Sequence, residues 1–391
     1  MFGAIYTGLS GLEAFSAGLQ AVSNNVTNLD STGFKSSSVT FANVANVLDP
    51  STENSGNSQS GTGGGVEQAG STIDFSAGQM QQTSKALDLA VNGNGFLTVM
   101  DGSQIRYLQT GSFEVNSSGY IVLAGTKWQL ATLNSSGQPV AVSTSSYNTY
   151  PPAATTTVAF TGNLSSSATT DSVSNITVYD ANGGAHTWQA ALSQSGSTGN
   201  WTVTVTDENG NTAGSQTLSF SGGTPTSATS KLTFDDTKES LSVVFDFSSN
   251  VTSYSAANAS TLATGTIDGN ASGTLTGVTV NAQGQVSISY SNSQTKTLGA
   301  VAVATFQNPQ ALVEQSGGMF TAPASAGLTV ASTGDPRVGT VEAGYLEASN
   351  VNLSAEFGDL IIIQRGYQAS SEVVSTANDM LQQLFQIHGH G

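Results

Sequence analysis

The apolar positions of this chain follow two different periods. Near the N-terminus, Ile5, Gly8, Leu12, Phe15, Leu19, Val22, Val26 and Leu29 recur three and four residues apart. Near the C-terminus the same spacing runs through Leu353, Glu356, Leu360, Ile363, Tyr367, Ser370, Val374, Ala377, Leu381, Leu384 and His388. A seven-residue repeat of this kind predicts helices that pack along their length on other helices. The expected helices cover 1–30 and 353–391, with Gly33 closing the first.

Between them the period falls to two. Trp188, Ala190 and Leu192 alternate with polar residues, as do Trp201, Val203 and Val205, and Leu241, Val243, Phe245 and Phe247. Turn clusters punctuate these runs at Asn116–Gly119, Asp180–Gly184 and Asp207–Asn211. Alternation bounded by such turns predicts short antiparallel strands. Residues 71–145 and 266–352 read as one β domain and 146–265 as a second, inserted β domain. Residues 31–70 are rich in Ser, Asn and Gly, including Ser51–Asn57 and Gly61–Gly65, and read as a linker or extended segment. The fold class is mixed and mainly β: two nested β domains, with N- and C-terminal helices pairing in a coiled-coil-like inner domain.

The first helix is weak by itself. Gly3, Gly8, Gly11 and Gly18 each cost roughly 1 kcal/mol relative to Ala. Such a segment needs a partner to fold, and its glycines allow backbones to approach closely. Residues 3–29 carry a single charge, Glu13. The C-terminal helix has a second apolar stripe at Val373, Met380 and Ile387. A helix that is apolar on several sides is buried on several sides, so the termini of many subunits are expected to pack together. The competing expectation is an intramolecular antiparallel hairpin inside an ordinary domain.

Charge narrows the choice of partners. The 391 residues contain 9 Lys and Arg against 26 Asp and Glu, for a net charge of −17. This argues against nucleic acid, which needs a basic footprint, and against anionic membrane surfaces. Arg365, Glu372 and Asp379 interrupt the C-terminal helix, which rules against membrane insertion. With no cysteine there is no disulfide, thiol nucleophile or zinc–thiolate site. The N-terminus lacks the basic start and continuous apolar core of a cleavable secretory signal.

A search for chemistry comes back empty. His186 follows a turn with no acid–nucleophile set near it in sequence. His388 and His390 stand in a terminal tail, where a weak metal site is outweighed by fraying. Asp207-Glu208 and Asp235-Asp236 lack the spacing of a calcium loop. Gly61–Gly65 is not followed by the Lys-Ser/Thr of a phosphate loop. No catalytic residue, cofactor or metal is expected.

Three segments, in order, resemble the flagellar rod–hook family of axial proteins. The first is Gly8-Leu9-Ser10-Gly11-Leu12 with Asn24-Asn25-Val26-Thr27-Asn28 and Thr32-Gly33-Phe34-Lys35. The second is Leu87-Asp88-Leu89-Ala90-Val91-Asn92-Gly93-Asn94-Gly95-Phe96-Leu97. The third is Gly344-Tyr345-Leu346-Glu347-Ala348-Ser349-Asn350-Val351-Asn352-Leu353 with Gln364-Arg365-Gly366-Tyr367-Gln368. Gly366 departs from the bulkier residue usual there. The length and the second β domain are similar to the hook members rather than to the shorter rod members.

The resemblance implies a homopolymeric helical tube, with terminal helices inside and β domains outside. It forms a curved universal joint that carries motor torque to the filament. It also implies export through the flagellar type III apparatus to the extracellular hook region. The flagellar rod, a hook cap and hook–filament junction proteins are the implied neighbours. The expected assembly interface is Ile5, Leu12, Phe15, Leu19, Val22, Val26, Leu29, Leu353, Leu360, Ile363, Tyr367, Val374, Ala377, Leu381 and Leu384. Competing readings are a straight distal-rod-like protein, a secreted β-rich binding module, and an enzyme acting on cell-wall glycan.

Overall fold

The computed structural model describes residues 2–43, 65–196, 199–256 and 259–388. The Ser51–Asn57 and Gly61–Gly64 stretches, His390 and the side chains of Ile387 and His388 lie outside what it describes. The fold is mainly β with one long helix near each end, α1 (Phe2–Thr27) and α2 (Leu353–His388). The chain forms two compact units. One comprises residues 1–145, 278–287 and 297–391; the other comprises 146–277 and 288–296.

In the first unit, α1 ends where polar side chains take over its last carbonyls. The Thr27 hydroxyl donates to Ser23 O at 2.7 Å and Asn28 Nδ2 donates to Asn24 O at 2.9 Å. This competition with the backbone ladder is what Thr and Asn bring to helix ends. The turn closes at Gly33, whose φ of 69° suits glycine. Helix α2 starts on an N-cap: Asn352 Oδ1 accepts from the backbone N–H of Ser354 and Ala355. Its 36 residues reach about 54 Å.

Residues 37–43 and 66–73 are not a simple linker. Strands Ser37–Asn43 and Val66–Ile73 pair as an antiparallel ribbon with an irregularity after Thr40. The ribbon lies along α1: the Val66 N–H donates to Ser10 Oγ, and the Phe41 and Phe15 rings are 6.1 Å apart.

The β body of this unit is a twelve-stranded sheet whose pairs are antiparallel. Successive strand residues point to opposite faces, and here both faces are covered. Phe96 joins an aromatic cluster with Tyr107, Phe306 and Phe320, while its neighbour Leu97 joins Leu89, Val99, Ile121 and Leu130. Double burial explains why Val301–Ala304 is apolar at successive positions instead of alternating. The central Asn92–Gly95 turn is packed against backbone: a Cβ on Gly93 would lie 2.9 Å from Gly339 Cα.

The second unit has one core between two sheets. Strands Thr170–Tyr179, Ala185–Gln194, Asn200–Thr206 and Thr212–Ser221 follow one another in an antiparallel meander. The other sheet centres on Thr157–Asn163, which runs parallel to Leu241–Asp246 and antiparallel to Ala263–Ile267. Val158, Phe160, Trp188, Trp201, Phe234, Phe245 and Phe247 fill the space between, each at most 1% exposed. Because Ala263–Ile267 belongs to this sheet, the unit extends past residue 265 to Gly277.

Candidate assembly interface

Helices α1 and α2 pack antiparallel. The line of closest approach on α1 runs through small residues: Gly8, Gly11, Ala14, Gly18, Val22 and Asn25 are buried. A Cβ added to Gly8 would sit 2.6 Å from Val374 Cγ2, one on Gly11 would sit 2.5 Å from Ser370 Oγ, and one on Gly18 would sit 3.1 Å from Ile363 Cδ1. Gly366 reciprocates from α2, since a Cβ there would collide with the Phe15 ring. The four glycines therefore set the spacing and register of the pair.

The residues singled out by period fall on and beside this line. Val22 and Ala377 are buried. Ile5, Leu12, Phe15, Leu19, Val26, Leu29, Leu353, Leu360, Ile363, Val374 and Leu381 are half-buried along its margins. Tyr367 and Leu384 are exposed, at 41% and 42%. On α1 the buried line lies one position away from several of the large residues. Hydropathy tracks Leu12, Phe15 and Leu19, whereas packing tracks Gly11, Ala14 and Gly18. The three-to-four spacing of those small residues was the available signal.

Much apolar surface is left over. Tyr6 and Leu9 on α1, and Phe357, Ile361, Ile362, Val373 and Met380 on α2, are all exposed, with Ile362 at 67%. They stay uncovered in the single chain, so the hairpin alone does not bury the pattern that the sequence carries.

Polar ties fix the pair to the unit below it. Asn25 Nδ2 donates to Glu356 Oε1 and to Ser37 O, both at 2.9 Å, while Asn25 Oδ1 accepts from the Ser37 N–H at 3.0 Å. One side chain thus joins α1, α2 and the ribbon. Burial raises the Glu356 carboxyl above the usual range; the Asn25 bond opposes this and the charge of Asp359 adds to it.

Below lies a buried ion pair, Lys35 Nζ to Glu347 Oε1 at 2.8 Å, with both side chains 2% exposed. Lys35 also donates to Ser76 O, and Glu347 Oε1 accepts from the Gly78 N–H. Asn350 accepts from the Ser36 N–H and donates to Asp74 O and Ser76 O. A buried pair tied this fully on both sides is held in one geometry.

His186 has no acid–nucleophile set beside it, but three carboxylates surround it in space: Asp180, six residues before it, and the more distant Glu208 and Glu239. Its Nδ1 is 3.2 Å from Glu208 Oε1, and its Nε2 is 3.4 Å from Asp180 Oδ2 and 3.8 Å from Glu239 Oε2. Burial pulls the imidazole down, but the hydrogen bonds to Asp180 and Glu208 and the charges of Glu239 and Glu208 outweigh it, so its pKa lies above the ordinary value. This is an ion-pair clasp joining three turns. Among the described residues, no group of three or more His, Cys, Asp or Glu is placed to hold a metal ion. Among them, too, no helix is long and apolar enough to cross a membrane.

Known proteins share this organisation. Residues 5–35 match the family model described as flagella basal body rod protein, and residues 342–387 match flagellar basal body rod FlgEFG protein C-terminal. The ties from Asn25 to Glu356 and from Lys35 to Glu347 join one matched segment to the other. The chain is 30% identical to the flagellar hook protein FlgE of Escherichia coli K12, over 97% of this chain and 98% of that protein. It is 28% identical to the FlgE of Salmonella typhimurium over the same shares. Identity falls to 21% with the flagellar basal-body rod protein FlgG of Bacillus subtilis, over 99% of both. The chain belongs to the flagellar hook protein family.

Proposed function

We propose that this protein is the structural subunit of a flagellar hook, self-assembling through its terminal helices into a tube. The observation that carries the reading is the apolar surface left open on the paired helices, with Ile361, Ile362, Val373 and Met380 exposed on α2. Neighbouring copies cover it. Because the surface presented differs from the surface received, contacts propagate into an open helical array instead of closing into a dimer. The Ser- and Thr-rich faces of the β units supply small, wet contacts that slide as a curved tube turns. That is the behaviour of a universal joint passing torque from motor to filament.

The expected interface remains Ile5, Leu12, Phe15, Leu19, Val22, Val26 and Leu29 with Leu353, Leu360, Ile363, Tyr367, Val374, Ala377, Leu381 and Leu384, now extended by the exposed residues of α2. Further copies of the chain are the main partner. The rod, the hook cap, the junction proteins and the export apparatus follow from family resemblance, as does an extracellular hook location. The role is structural and not enzymatic.

Electron microscopy of the full chain driven to polymerise by salt tests this. Curved tubes are expected from the wild type, and none from Leu12→Asp, Leu381→Asp or Ile362→Asp, with the β units still folded by circular dichroism. A wild type that stays monomeric at every salt and protein concentration, or tubes from all three variants, sinks the reading.

A further inference from the structure

One residue of the closing signature has no role within the single chain. Arg365 is exposed, and among the described residues it makes no ion pair. It is also the lone Lys or Arg on either terminal helix, against Glu13, Glu356, Asp359, Glu372 and Asp379. An arginine set on an otherwise apolar and acidic helix pair calls for a carboxylate. Its own helix supplies none at the three- or four-residue spacing that lets side chains meet.

A receiving site exists on another face. A groove of about 240 Å³ runs between α1, the ribbon and α2, walled by Val22, Phe41, Ile362 and Ile363, with Glu356 and Asp359 along it. Asp359 is exposed at its rim and makes no ion pair among the described residues. Apolar walls with carboxylates beside them suit a guanidinium on a three-carbon stem, which packs its stem and presents five donors.

We propose, resting on the assembly reading above, that Arg365 of one copy enters this groove on the next copy and pairs with Asp359. The two residues are six apart on α2, about 9 Å along the axis and about 120° around it. The contact therefore joins unlike faces of neighbouring copies, as an open array requires. Glu372 and Asp379 are less suited, since at seven and fourteen residues from Arg365 they lie on its own face. Pairing through that face would join like surfaces and tend to close. Arrival of the guanidinium also relieves the crowding of Glu356 by Asp359, whose charge raises the Glu356 pKa in the single chain.

A double-mutant cycle on the full-length chain tests the pair. Arg365→Gln and Asp359→Asn are each expected to raise the critical concentration for polymerisation about tenfold, and the double variant about tenfold rather than a hundredfold. Whatever salt does to assembly as a whole, added monovalent salt at constant temperature should narrow the gap in critical concentration between the wild type and either single variant, because it screens the pair. Melting curves of the unpolymerised proteins check that each variant folds. Additive effects, no effect of Asp359→Asn, or a larger effect of Glu372→Gln overturns the pairing while wild-type tubes leave the assembly reading intact. Absence of wild-type tubes overturns the assembly reading itself.

Discussion

The β unit at 146–277 and 288–296 and the helix pair are built on opposite principles. The β unit seals its large side chains, with Trp188, Trp201, Phe234 and Phe245 wholly inside. Among the described residues, the helix pair fully buries only Ala14, Val22 and Ala377 of its apolar side chains and leaves large ones such as Tyr6, Phe357 and Ile362 outside. Burial at about 25 cal/mol per Å² makes the first self-sufficient. The second is held by glycine-spaced contact, Asn25 and a buried ion pair beneath, and on the proposed reading completes its core with other copies. One chain thus contains a part that seals its own core and a part that leaves its hydrophobic surface open.

Removing a large side chain from the sealed unit should do the most damage. Trp201→Ala should cost about 3–5 kcal/mol, seen as a lower denaturant midpoint for that unit with α1–α2 helicity unchanged. Loss of helix signal in the same transition would show that the two parts are not independent. Glu347→Gln leaves Lys35 buried without a counter-charge and should cost about 3 kcal/mol, this time in the other unit. Hydrogen exchange at the 33–36 and 345–350 amides reads it directly, and unchanged protection would mean that the pair is not what anchors the helices.

Gly11→Leu should leave both β units at wild-type stability yet separate the helices, at a cost of about 1–3 kcal/mol. A spin-label distance between positions 12 and 367 would lengthen. If it does not, the glycine line is not the contact that sets the register.

The smallest effect concerns His186. Its pKa is raised on folding, so the clasp contributes fully below the unfolded value of about 6.5 and is lost as pH rises through the folded value. Thermal melts of the β unit should fall across that window in the wild type and stay flat there in His186→Gln. Equal slopes would remove the clasp as a source of stability.

The period of the sequence locates both helices because Leu360, Ile363, Val374 and Leu381 are bulky and regularly spaced. On α1 it follows Leu12, Phe15 and Leu19, beside the line Gly11, Ala14 and Gly18 that packs on α2 within the chain, because glycine carries packing information without hydropathy. Strand alternation finds Trp188–Leu192 and Trp201–Val205, since one face is core and the other is wet. It cannot give partners, so the parallel pairing of Thr157–Asn163 with Leu241–Asp246 is visible only in the fold. The His186 clasp is half hidden for the same reason: Asp180 is in the turn just before it, but Glu208 and Glu239 come from turns that only tertiary structure brings to it. The Lys35–Glu347 pair was present in the motifs as two conspicuous residues, but nothing local tells one end of a chain which residue at the other it will meet.

That separation has a consequence in time. Lys35 and Glu347 are 312 positions apart, and Asn25 and Glu356 are 331 apart. Contacts that distant are slow to form and close last. A ribosome releases α1 long before it has made the segment that α1 rests against, so the N-terminal end of every new chain stays open until the final tenth of the protein appears. The molecule has its own delay: the helix pair proposed to polymerise is assembled only once both of its helices have been made.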